Sequence, residues 1–223
     1  MCFKSPVEAS AVYVAELWRY PVKSLAGERL SEVEVTPTGL VGDRLVQVWA
    51  GDRIVTSRTR PKLLALRALW DADSGEPTID GLPWHAPEAL EAVRRAAGPG
   101  ARLERLDEVE ARFDVLPLLV ATDGAIAALG EDGRRLRPNI VVGGVEGLAE
   151  RTWPGKRLRL GEVVIEVAKL RDRCVMTTYH PDTQVQDSGV LRRIVQEFEG
   201  KIALDCFVLR RGRLRVGDPV ELL

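Results

Sequence analysis

Short apolar runs, each cut off by glycine or proline, are what most restrict the folds open to this chain. Ile140-Val-Val stops at Gly143-Gly144, Val12 to Trp18 ends in Arg19-Tyr-Pro, and Glu32-Val-Glu-Val-Thr runs into the glycine-punctuated Thr38-Gly-Leu-Val-Gly-Asp-Arg. Runs of this length suit strands of about five residues better than helices of ten or more. There are 20 glycines and 13 prolines in 223 residues, about 15% against a usual level of roughly 12%. A turn-rich, mainly β (α+β) fold with few short helices is expected. The length suits one large domain or two small ones with a proper core.

The individual segments follow from the same signals. Glu32–Thr36 alternates charged and β-branched residues, as a half-buried strand does. Leu45 to Trp49 reads as a strand, and Gly51-Asp52 as a hairpin turn into Ile54-Val-Thr-Ser-Arg. Pro61 to Leu69 is apolar enough for a strand yet rich in helix formers, and Asp71 to Pro83 reads as loop, with Trp84 capping a short hairpin. Pro87 to Ala97 is an amphipathic helix bounded by Pro and by Gly98-Pro-Gly, with Leu90, Val93 and Ala97 on one face. A short helix begins at Thr122 or Asp123. Leu158 to Val167 forms a hairpin, and a helix capped by Asp187 or Ser188 runs to about Glu199, lined by Leu191, Ile194, Val195 and Phe198. Ile202 to Leu209 and Val220 to Leu223 close the chain as strands.

Composition narrows the function classes. A net charge of -1, from 32 basic and 33 acidic residues, gives no global field toward nucleic acid or lipid. The five tryptophans and four phenylalanines are scattered and form no base-stacking platform, which argues against a nucleotide or nucleic-acid binding barrel. No run approaches the roughly 20 apolar residues of a membrane span, and the N-terminus lacks a signal-peptide pattern. Three cysteines without a C-x-x-C pair fit reduced thiols in the cytoplasm. Cys2 reads as an exposed terminal thiol and Cys206 as core, and His85 and His180 lack metal-pair spacing.

Chemistry concentrates at Cys174. It follows the strand-like Val163-Val-Ile-Glu-Val-Ala, lies between Arg173 and the hydroxyls of Thr177, Thr178 and Thr183, and has Arg171 close by. Guanidinium groups favour thiolate over thiol, so the residue suits a nucleophile or a soft-metal ligand; a small buried hydrophobe is the other reading. Lys23 and Arg44 taken alone suit solvated surface charges, Gly42-Asp-Arg a turn with a local salt bridge, and Arg137-Pro-Asn a strand-entry turn.

Six motifs in order change the weight of these residues: Tyr20-Pro-Val-Lys-Ser24, Gly42-Asp-Arg44, Thr56-Ser-Arg58, Arg137-Pro-Asn139, Asp172-Arg-Cys174 followed by Thr177-Thr178, and Val216-Gly-Asp-Pro219. From about Val12 onward the chain resembles the MOSC (molybdenum cofactor sulfurase C-terminal) superfamily. The branch it is most similar to contains the amidoxime reducing components. The resemblance implies an N-terminal MOSC β-barrel domain over 11–110, packed with a mixed-strand MOSC β-barrel over 111–223.

It also implies a molybdenum cofactor, a Mo-pyranopterin dithiolene, with Cys174 as metal ligand. Lys23, Ser24, Arg44, Arg58, Thr122, Arg137, Asn139 and Arg173 then fall into cofactor-binding roles. Thiolate suits a sulfur-rich metal, while cations, hydroxyls and amides suit a phosphate and a polar pterin. Asp123 and Asp172 depart from the family pattern, in which hydroxyl residues are more usual, and as catalytic carboxylates they could deliver protons. The implied activity is reduction of small N-hydroxylated substrates such as amidoximes, hydroxylamines and N-hydroxylated bases. With no iron–sulfur, flavin or nicotinamide fingerprint, electrons would come from a separate reductase or carrier protein. A non-catalytic cofactor carrier, or a sulfur relay through a Cys174 persulfide, remains the alternative.

Overall fold

The structure, a computed structural model, describes residues 12–106 and 112–223. Cys2 and the junction at 110/111 lie outside the described residues. In chain order the first strands are β1 (Tyr13–Arg19), β2 (Glu28–Leu30), β3 (Glu32–Thr36), β4 (Gly39–Leu40), β5 (Val46–Ala50) and β6 (Arg53–Val55). Next come β7 (Ala68–Asp71), β8 (Glu76–Ile79), β9 (Leu82–Pro83), helix α1 (Pro87–Ala97) and β10 (Ala101–Arg105). The second half holds β11 (Leu118–Thr122), α2 (Asp123–Leu129), β12 (Ile140–Gly143), β13 (Arg157–Leu160) and β14 (Val163–Asp172). It ends with α3 (Ser188–Phe198), β15 (Lys201–Arg210), β16 (Gly212–Arg215) and β17 (Val220–Leu222). The fold is mainly β, with three short α-helices among the described residues.

An eight-stranded sheet in the order β17-β13-β14-β15-β11-β12-β1-β2 forms the body, and three three-stranded sheets flank it. The sheets are not closed into continuous barrels. Nevertheless, Val14 donates to the Asp218 carbonyl at 2.9 Å and Val220 to that of Val12 at 2.9 Å, so the lead into β17 is tied to the start of β1. Within β3 the expected alternation holds: Val33 and Val35 are buried, Glu32 and Glu34 exposed.

Burial does not divide at residue 110. Val14, Leu17, Val33, Val35 and Leu40, from the first forty residues, pack into the same core as Leu118, Val120, Leu158, Ile165 and Leu204. A second core joins Val22, Leu25, Val46 and Val48 to Ala89 and Val93 of α1. A third lies under α2 and α3.

Four segments differ from expectation. Asp71–Pro83 is not loop: β7, β8 and β9 form a meander, with the turn closed on the Asp71 carboxylate by Ser74 (2.7 Å) and the Asp73 amide (3.0 Å). Pro61–Leu69 divides into a 3-10 helix, Pro61–Ala65, and the start of β7. The buried stripe of α3 is Val190, Ile194 and Phe198, and Val195 is exposed because it lies about 100° round the helix from Ile194. Likewise α1 buries Ala89, Val93 and Ala97, with Leu90 only half-buried.

Candidate active site: a basic pocket beside Cys174

Pro21 ends β1, and the chain from Tyr20 to Leu25 crosses beside the entry to β5. Lys23 donates its amide to Val46 at 2.8 Å, and Arg44 donates its amide to Tyr20 at 2.8 Å. These bonds set Lys23, Ser24 and Arg44 side by side. Between them, the buried Asp43 carboxylate accepts from the Tyr20 amide (2.8 Å) and from Asn139 Nδ2 (3.2 Å), and it pairs with Arg44. Gly42, at φ +84, makes the turn; a Cβ there would meet the Trp70 ring at 2.8 Å.

The opposite wall comes from the second half. A 3-10 turn, Gly133–Leu136, ends at Arg137, whose guanidinium donates to the Leu25 carbonyl at 2.7 Å. Cys174 follows β14 and opens the 3-10 turn Val175–Thr178. Arginines fasten the two turns together: Arg135 donates to the Thr178 carbonyl at 3.0 Å, and Arg173 to that of Leu136 at 2.8 Å.

The result is a cavity of about 250 Å³ lined by seven cations (Lys23, Arg44, Arg58, Arg135, Arg137, Arg171, Arg173), two carboxylates (Asp114, Asp172) and Cys174. Its net lining charge of five positives stands in a chain of net -1. Burial pulls Arg137 and Arg173 down to about 10, with the neighbouring Arg44 and Arg171 guanidinium groups adding to the effect. Tyr20, its ring 4.2 Å from the Arg137 guanidinium and 5.2 Å from that of Arg44, is pushed up to about 12 by burial against the pull of those cations. Backbone strain collects here too. Ser24, Arg44 and Arg137 are three of the seven non-glycine residues with positive φ among the described residues. Such conformations cost of order 1–3 kcal/mol each and persist where surrounding contacts over-determine them, typically at functional sites.

Eight of the residues singled out from the sequence meet in this cavity: Lys23, Ser24, Arg44, Arg58, Arg137, Asp172, Arg173 and Cys174. Asn139 does not line it. It stands behind, its Oδ1 accepting from Arg44 at 3.3 Å and from the Leu119 amide at 3.2 Å, and so it positions Arg44. Thr122 and Asp123 do not join the cluster. Thr122 Oγ1 caps α2 by accepting from the Ala125 amide (3.1 Å), and Asp123 accepts from the amides of Gly144 (2.7 Å) and Val145 (3.0 Å). The hydroxyls of Thr177 and Thr178 turn back onto the carbonyls of Cys174 and Val175. Sequence reasoning missed Asp114, Arg135 and Met176, which carry no local periodicity or motif.

The MOSC domain model matches residues 103–221, and the model of the MOSC N-terminal beta barrel domain matches 11–106. The chain belongs to the MOSC family. Among curated proteins, this MOSC chain is 26% identical to human mitochondrial amidoxime-reducing component 1, over 94% of its own length and 82% of that protein's. It is 27% identical to human mitochondrial amidoxime reducing component 2, with 93% and 82% covered. In structure it is similar to the YuaD protein of Bacillus subtilis, with a TM-score of 0.52 at 13% identity and 95% of each chain covered, a likeness of fold.

MOSC domains are associated with molybdenum cofactor binding, and the donors of this MOSC pocket fit such a group. A sulfur donor stands in a wall of cations, as a thiolate-ligated metal with an anionic pterin requires. Arg173 Nε is buried without a hydrogen-bond partner, an orphan donor that an anionic ligand would satisfy.

Proposed function

We propose that this MOSC protein is a molybdenum-cofactor reductase of N-hydroxylated compounds, working at the Cys174 pocket. The observation that carries the reading is Cys174 presented in a cavity whose lining holds seven cations and two carboxylates. The names of its relatives, amidoxime reducing components, support the reaction class.

Cys174 Sγ would hold the metal as thiolate. Lys23 and Arg58 offer a point charge and a planar fork to phosphate oxygens, while Arg44, Arg137 and Arg173 neutralise the remaining anionic surface. The bound group would supply two-electron exchange, by which N–OH becomes N–H and one water leaves with two protons consumed. Asp172, exposed at the cavity wall near Cys174, would be the carboxyl that passes a proton from solvent to the leaving oxygen. The electrons come from a separate reductase or carrier protein.

The test is molybdenum per chain by mass spectrometry for wild type and Cys174→Ala, both purified from a host that makes the cofactor, alongside benzamidoxime reduction with an artificial electron donor. Near-stoichiometric metal lost in the variant, together with turnover by the wild type, bears the reading out. Metal binding without turnover would make the protein a carrier, and wild-type levels of metal and activity in Cys174→Ala would end the ligand assignment.

A further inference from the structure

Three of the cavity's cations are aimed at one carboxylate. Asp114 Oδ1 lies 2.8 Å from Lys23 Nζ, and its Oδ2 lies 2.9 Å from Arg58 and 3.9 Å from Arg171. The cations arrive from three separate places: the crossing after β1, the segment after β6, and the end of β14. Burial works to raise the Asp114 carboxyl, yet Lys23, Arg58 and Arg171 outweigh it and hold the group below its usual value. Asp114 itself is carried by residues 112–117, which belong to no strand or helix, and a third of its side chain is exposed, as is much of its neighbour Val115. Among the described residues its ion pairs are all with these cavity cations. A carboxylate has two oxygens and one charge, whereas the cradle offers three cations, two of them planar forks. That is the recognition pattern of a tetrahedral dianion.

We propose that Asp114 is a built-in stand-in for a phosphate group: it fills the Lys23–Arg58–Arg171 cradle while the cavity is empty and leaves when a phosphomonoester or phosphate dianion enters. The cradle stands on its own geometry. That the entering phosphate is the cofactor's own rests on the reading given under Proposed function.

Inorganic phosphate is the probe, titrated into metal-free protein by calorimetry. Asp114→Asn removes the internal competitor but keeps its shape, so phosphate binds about tenfold more tightly than in wild type, and adding Lys23→Ala removes the gain. Equal or weaker binding by folded Asp114→Asn overturns the proposal. Wild-type protein gives a measurement independent of any variant: with saturating phosphate, amide hydrogen exchange over 112–117 becomes faster as Asp114 is released, and unchanged or slower exchange overturns the proposal. Molybdenum-loaded protein separates the sources. Refusal of inorganic phosphate assigns the cradle to the cofactor's phosphate, and continued binding assigns it to free phosphate.

Discussion

Asp43 has no exposed side-chain surface, and it bonds Tyr20, Arg44 and Asn139 at once. Asp43→Asn leaves Arg44 facing an amide in place of its charge partner. Breaking one side of a buried pair costs about 3–5 kcal/mol, so the urea midpoint should fall by that equivalent. Tyr20 offers a second check. Its phenol is pushed up to about 12 by burial, so the tyrosinate absorbance of wild type minus that of Tyr20→Phe should rise with a midpoint near pH 12. The neutral phenol is favoured by the fold. Its contribution to stability is therefore complete below the unfolded value of about 10 and is lost as pH rises from there through 12. At this scale, legibility depended on chain neighbours. Cys174 declared itself through Arg171 and Arg173 alongside it in sequence. Asp114 did not, because Lys23, Arg58 and Arg171 approach it only through the fold.

Thr122 and Asp123 belong to the capping of α2, with Asp123 also holding the 144–145 backbone. Thr122→Ala should therefore cost about 1 kcal/mol of stability and leave molybdenum occupancy at the wild-type level; a parallel loss of metal would put this residue in the site after all. Elements were readable where one face met one core, as in the β3 alternation and in α1 between Pro87 and Gly98. They were unreadable where tertiary partners supplied the order. The β7–β9 meander is held by a turn on the Asp71 carboxylate and by Trp84 Nε1 donating to Glu76 at 2.7 Å, neither of which leaves a hydrophobic period. The stripe of α3 was misread by one position because apolar residues occupy both sides of its boundary, and the third core selects Val190 over Leu191.

The large core draws five fully or nearly buried aliphatic residues, Val14, Leu17, Val33, Val35 and Leu40, from the first forty positions. Full burial of each is worth about 1.5–3 kcal/mol, so together they match the 5–15 kcal/mol that holds a whole domain. Residues 111–223 produced alone should show no cooperative unfolding by circular dichroism. Co-expression with 1–110 should restore it. The cavity adds a consequence of another kind. Its lining carries five net positive charges while the chain as a whole carries -1, which leaves -6 for the rest of the molecule. Positive charge is thus gathered at the cavity while the remainder of the chain is net negative, which favours the approach of anions there. Arrival rates of an anionic ligand should fall steeply as salt shortens the Debye length from about 30 Å at 0.01 M to about 8 Å at 0.15 M, while the rate of departure, set inside the cavity, changes little.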